Sequence, residues 1–211
     1  MRSNSIKRIN YQRNYILNSL KNADPNDLIM YSDNDEIPNL ENINLRSFRE
    51  KIIVFKQKIF YYKFNLQHSS IEWFGTKACK KNKLKSFNWL RNIKNKKYPF
   101  WRLDAIFSEN KMIDLQTIEN GGWHFSKIKN EKDIFYTLSN YGEHNEFELS
   151  GLTESKIKNL IENNQLYFNH SGDKKSQGKY SAKIKLDKKS IDVLPDYLIQ
   201  NYTKYKDWIL Q

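Results

Sequence analysis

Residues 28–38 read LIMYSDNDEIP. Leu28, Ile29, Met30 and Tyr31 form an apolar run of strand length, and Ser32 to Asp35 stop it with side chains that favour turns. Three acids fall within Asp33–Glu36, and Pro38 then suits the first turn of a helix predicted to run through Leu45 and Phe48. A strand that stops at paired carboxylates fits a sheet whose ligand crevice lies beyond the carboxyl ends of its strands, so the stretch predicts an α/β fold. Residues two apart on a strand share a face, which is expected to bring Asp33 and Asp35 together while Asn34 turns away. Carboxylates that close repel unless a cation lies between them, and a hard divalent ion such as Mg or Mn meets that need. The competing reading is a plain turn, with Asp35 or Glu36 favouring the N-terminus of the next helix.

Working outward, Ile6, Ile9, Ile16, Leu17 and Leu20 recur at helical spacing over residues 5–21, and Asp24-Pro25-Asn26 breaks the pattern. Residues 52–64 (IIVFKQKIFYYKF) are β-branched and aromatic, predicting one long strand or two joined by a bulge. A helix is predicted over 87–93, a weak strand over 112–118, and helices over 132–140 and 153–163. Thr153 stands at the last start without an acid three residues on. Residues 171–181 (SGDKKSQGKYS) read as a polar loop, and 194–210 as an amphipathic tail docked on the body.

The 211 residues are read as one domain, 1–211, with 36 Lys and Arg against 24 Asp and Glu and a formal net charge of +12. That excess suits polyanions such as nucleic acid, anionic lipid or nucleotide phosphates without choosing among them. The lysine runs at 77–85, 94–97 and 183–189 are expected to be solvated loops. The single cysteine, Cys79, excludes an intramolecular disulfide; it reads as a stray surface thiol whose pKa the neighbouring lysines would lower. No apolar run approaches membrane-helix length, and the expected location is the cytoplasm, at most peripheral to a membrane.

A second unusual stretch is Glu119–Ser126, ENGGWHFS. Two glycines permit backbone conformations and close approaches that other residues forbid, and they precede Trp123 and His124. His124 is a candidate metal ligand or phosphate contact, weighed against an ordinary structural histidine. A third cluster, YGEHNEF over 141–147, offers Glu143, His144 and Glu146, and one helical turn would bring the two glutamates together.

Taken in order, these segments resemble glycosyltransferase family 17, the family of β-1,4-mannosyl-glycoprotein β-1,4-N-acetylglucosaminyltransferase. The resemblance comprises Tyr11-Gln12-Arg13-Asn14, Ser32–Pro38 (SDNDEIP), Tyr61–Asn65 (YYKFN), Trp73–Lys77 (WFGTK), Gly121–Ser126 (GGWHFS), His144–Phe147 (HNEF), and Leu194-Pro195 before Tyr205. It spans nearly all of the chain, most loosely in the lysine-rich middle.

The resemblance implies a GT-A-like, Rossmann-like mixed sheet flanked by helices, and inverting transfer of N-acetylglucosamine or a related sugar from a UDP-sugar to a glycan acceptor, as in N-glycan processing. It implies Asp35 as the ligand of a Mn or Mg ion, Asp33 on the metal or the ribose, and His124 as a third metal or diphosphate contact. Arg13 and Trp123 join the donor site, and Trp73 and Gly75 the acceptor site. An inverting transfer needs a base for the acceptor hydroxyl, and the candidates are Glu36, Glu119, Glu143 and Glu146, with a lean to Glu146. Family members carry a longer segment ahead of the Gln-Arg helix, so the chain reads as N-terminally shortened, with an exposed sheet edge that invites homo-oligomers. A catalytically incomplete scaffold or glycan-binding protein is the alternative. Nucleic acid is the less favoured partner, resting on charge alone.

Overall fold

A computed structural model of the chain describes residues 2–41, 43–45, 52–95, 99, 101–111, 114–140, 144–170 and 184–211. The protein is mixed α/β. Its strands are β1 (Leu28–Tyr31), β2 (Glu36–Pro38), β3 (Ile52–Tyr61), β4 (Leu66–Gln67), β5 (Trp73–Lys80), β6 (Leu115–Ile118), β7 (Gly122–Ser126), β8 (Gln165–Leu166), β9 (Ile184–Lys185) and β10 (Asp187–Lys188). Its helices are α1 (Arg2–Tyr15), α2 (Phe87–Asn92), α3 (Leu103–Ile106), α4 (Glu131–Asn140), α5 (His144–Leu149), α6 (Glu154–Glu162), α7 (Asp196–Gln200) and α8 (Tyr202–Tyr205). The chain packs as two compact units, one gathering Ser3–Gln57 with Glu72–His124, the other Lys58–Ile71 with Phe125–Gln211.

In the first unit β5 lies between β1 and β3, antiparallel to both, while β3 runs parallel to β6, so the sheet is mixed. The long aromatic strand carries a register shift between Val54 and Lys56, the bulge its sequence allows. Side-chain alternation sorts this sheet into two apolar faces. Ile52 and Cys79 meet Leu90 and Ile93, while Ile53, Phe55 and Ala78 meet Leu28, Met30 and Ile118. Helix α2 supplies Leu90, and Ser86 caps it by accepting a 3.0 Å bond from the Trp89 amide.

Three expectations are corrected here. The lysine run beginning at Lys77 is not a solvated loop at its start: Trp73–Lys80 is a strand, with Lys77 3% and Cys79 1% exposed. Burial pushes the Cys79 thiol up to about 11, the reverse of the lowering expected from its lysines, so it is an inert core residue. Pro38 closes strand β2 and does not open a helix. Phe48, which that helix was to include, lies outside the described residues.

In the second unit β4 pairs with both β3 and β10, and β8 pairs with β9. Helices α4, α5 and α6 bury Ile134, Leu138, Phe147 and Ile157, and the Thr153 hydroxyl accepts from the Lys156 amide at the start of α6. The tail breaks into α7, α8 and a 3-10 turn. It docks within this unit through buried Leu194, Leu198 and Ile209 and through Asn65, whose side chain bonds the Leu210 amide and carbonyl. The loop at 171–181 lies outside the described residues. No helix among the described residues is long and apolar enough to cross a membrane.

Candidate functional site

The acidic cluster forms a turn between β1 and β2. The Glu36 amide donates to the Asp33 carbonyl at 3.0 Å, and the Ser32 hydroxyl donates to the Glu36 carbonyl at 2.8 Å. Strand alternation therefore does not set the aspartates: they face different partners. Asp33 accepts from the Tyr31 hydroxyl at 2.9 Å and from Arg91 Nε at 2.8 Å, with Arg13 Nη2 3.8 Å away. Asp35, its side chain 41% exposed, instead places Oδ2 3.2 Å from His124 Nε2.

Pairing of β2 with β7 makes that contact, because it sets Glu36 opposite His124, Ile37 opposite Trp123 and Pro38 opposite Gly122. The two stretches singled out in the sequence, SDNDEIP and GGWHFS, are thus neighbouring strands. Gly122 has φ +119°, a conformation that needs glycine. Trp123 alternates away from His124 along β7.

Trp73 on β5 completes the cluster. Its ring centroid is 4.3 Å from that of His124, and its Nε1 donates to Glu36 Oε1 at 2.8 Å. Glu36 Oε2 also accepts from the Asp33 amide at 3.3 Å, so this carboxylate, with its side chain 1% exposed, holds the turn and the indole in place. Gly75 makes room for it: a Cβ there would lie 1.9 Å from Gln57 Oε1 and 2.8 Å from Glu36 Cδ. Gly75 is buried and serves packing. Arg91 lies 3.7 Å from Glu36 and stacks its guanidinium 5.9 Å from the Trp73 ring. Burial opposes the charge on Arg91, yet Asp33 and Glu36 outweigh it and hold the guanidinium pKa above its ordinary value.

The Asp35–His124 pair fits two positions of a divalent ion. Two donors about 2.1 Å from one octahedral cation stand about 3 Å apart, close to the observed separation. His124 Nδ1 is buried without a hydrogen-bond partner among the described residues. Asp33 does not add a third donor, since arginines and Tyr31 already engage its oxygens. Among the described residues no group of three or more His, Cys, Asp or Glu side chains gathers as a metal cage. A cation here would take its other ligands from water and from a bound phosphate, as Mg sites commonly do.

Of the proposed bases, Glu36 is buried as described, and Glu119 is a surface residue held at 3.1 Å by Lys56. Glu143 lies outside the described residues, and Glu146 sits on α5 in the second unit, its side chain not described. The sequence reading missed Arg91 and Lys77. Arg91 left one signal, being the lone arginine between Lys51 and Lys97, a forked donor in a stretch otherwise basic through lysine.

Lys77 is anchored by the end of α2, donating from Nζ to the Arg91 carbonyl at 2.6 Å and the Ile93 carbonyl at 2.9 Å. Burial, reinforced by Arg91, pushes its pKa down to about 7 against an ordinary 10.5. The unfolded chain therefore binds the extra proton between these values, and stability rises with pH across that window. Below about pH 7 both states are protonated and the full penalty is present. We expect the unfolding free energy to gain about 2 kcal/mol between pH 7 and 9, measured by urea melts. The Lys77→Met protein should lose that gain; equal pH slopes in the two proteins would refute the assignment.

No protein-family model, curated protein or solved structure matches this chain.

Proposed function

We propose that the chain is a metal-dependent, GT-A-like glycosyltransferase that passes a sugar from a UDP-sugar, with inversion, to a hydroxyl of a glycan. The observation that carries this reading is the 3.2 Å approach of Asp35 Oδ2 to His124 Nε2, made where β1 ends by the pairing of β2 with β7. Asp35 and His124 would hold the divalent ion, which when bound neutralises the charge gained by the departing diphosphate. Arg91 and Arg13 fix Asp33, and with it the turn that presents Asp35. Glu36 fixes Trp73 against His124, which shields the imidazole from water. In the transfer the acceptor oxygen bonds to the anomeric carbon, the carbon–phosphate oxygen bond breaks with its electron pair going to UDP, and the hydroxyl proton passes to a carboxylate.

Calorimetric titration of UDP with and without Mn tests the site directly. The wild-type chain should bind UDP at least tenfold more tightly with the metal, since a cation bridging protein and diphosphate adds over 1.4 kcal/mol. Asp35→Ala and His124→Ala should each remove that dependence. UDP binding indifferent to Mn in wild type would overturn the proposal.

A further inference from the structure

The first unit contains a cavity of about 240 Å³ whose walls include Trp73, Lys77, Arg91, Asn92, Lys94 and Asn95. Pockets for drug-sized ligands run to about 300–1,000 Å³, so this one is of a size for a small group. Among the described residues three basic side chains line it and no carboxylate does. Lys77 is nine-tenths buried, and its two bonds to the Arg91 and Ile93 carbonyls cover the negative end of α2. A charged ammonium has three N–H groups, so one remains for a ligand. Lys94 is exposed and makes no side-chain hydrogen bond or ion pair among the described residues. Asp33 and Glu36 answer the charge of Arg91 from outside the cavity wall.

Burying Lys77 beside Arg91 is costly, and a bound anion would relieve that cost. Trp73 adds a flat apolar wall on which the body of a ligand can rest. We propose that this cavity is a binding site for a small phosphomonoester, with the terminal phosphate held by Lys77, Arg91 and Lys94 and its organic part against Trp73. The assignment is independent of sugar transfer: it needs neither the Asp35–His124 pair nor a metal. A single small pocket favours a terminal dianion over the continuous backbone of a polynucleotide, which binds along an extended groove.

The test is calorimetry on the full chain with glucose 6-phosphate as probe, at low ionic strength and without divalent metal. Binding should be saturable with one site. Lys94→Gln, a substitution at an exposed residue outside the fold's packing, should weaken it about fivefold, and Lys158→Gln on the far-sequence helix α6 should leave it unchanged. Sulfate, whose charge is constant from pH 6 to 9, should bind more weakly as the pH rises through about 7 and Lys77 loses its proton. Equal affinities in the Lys94→Gln and Lys158→Gln proteins, or no saturable binding, would overturn the site. So would displacement of the probe by UDP with Mn, which would place it in the diphosphate's seat, or by a single-stranded oligonucleotide at lower concentration than unlabelled glucose 6-phosphate. If the UDP experiment fails while this one succeeds, the transferase reading falls and the phosphate site stands.

Discussion

Replacing Gly122 by alanine is expected to remove about 4 kcal/mol of unfolding free energy, the sum of a strained backbone and an overpacked contact at ~1–3 kcal/mol each. With φ at +119°, an added Cβ would lie 2.1 Å from the Ile37 carbonyl oxygen and 2.7 Å from the Asn39 amide nitrogen. Both obstacles are backbone, so no rotamer change clears them. The only relief is to part β2 from β7, which also undoes the register that brings Asp35 to His124. Gly151 gives the control: its φ is +63°, and an added Cβ meets nothing within 4 Å. Gly151→Ala should therefore cost only the conformational part, about 1 kcal/mol. Urea unfolding of the three proteins reads the difference. Costs within about 1 kcal/mol of each other would show that the β2–β7 contact yields easily.

Local signals made much of this fold legible, and contacts distant in sequence made the rest illegible. Leu28–Tyr31 was predicted as a strand from four apolar residues bounded by turn formers, and α2, α4 and α6 follow from periodicity and capping because those signals lie within one segment. Strand β5 hid behind its lysines. Nothing near Lys77 in the chain shows that two carbonyls at the end of α2 will accept its protons, so the residue reads as solvated. Strand β2 hid behind Pro38, which fits opposite Gly122 only because glycine there lets the two backbones approach. At the candidate site the residue types were legible and their geometry was not. Asp35 and His124 were both singled out, yet the route proposed for Asp35, strand alternation with Asp33, is replaced by a turn that splits the aspartates between an arginine and a histidine. Trp73 entered only as an acceptor-site residue implied by the resemblance, and its contact with His124 and Glu36 depends on two strand pairings that no window of sequence contains.

Arg91→Met should destabilise the chain by about 3 kcal/mol, the scale for stripping one partner from a buried ion pair. The guanidinium is the ion-pair partner of Glu36 among the described residues, where the Glu36 side chain is 1% exposed, and it also carries the 2.8 Å bond to Asp33. Methionine matches the length and the contact with Trp73 while leaving Glu36 with two neutral donors, the Trp73 indole and the Asp33 amide. Arg91→Lys should recover only a fraction, because a point charge cannot reach both carboxylates as the planar fork does. The decisive measurement is a double-mutant cycle with Glu36→Gln. If the loss comes from an orphaned carboxylate, the pair Arg91→Met, Glu36→Gln should be at least about 1 kcal/mol more stable than the sum of the single changes predicts. Strict additivity would mean that Arg91 acts through packing on Trp73 alone. In that case Asp33 and Glu36 would not be what holds the turn, and Asp35 would owe its position to the β2–β7 pairing by itself.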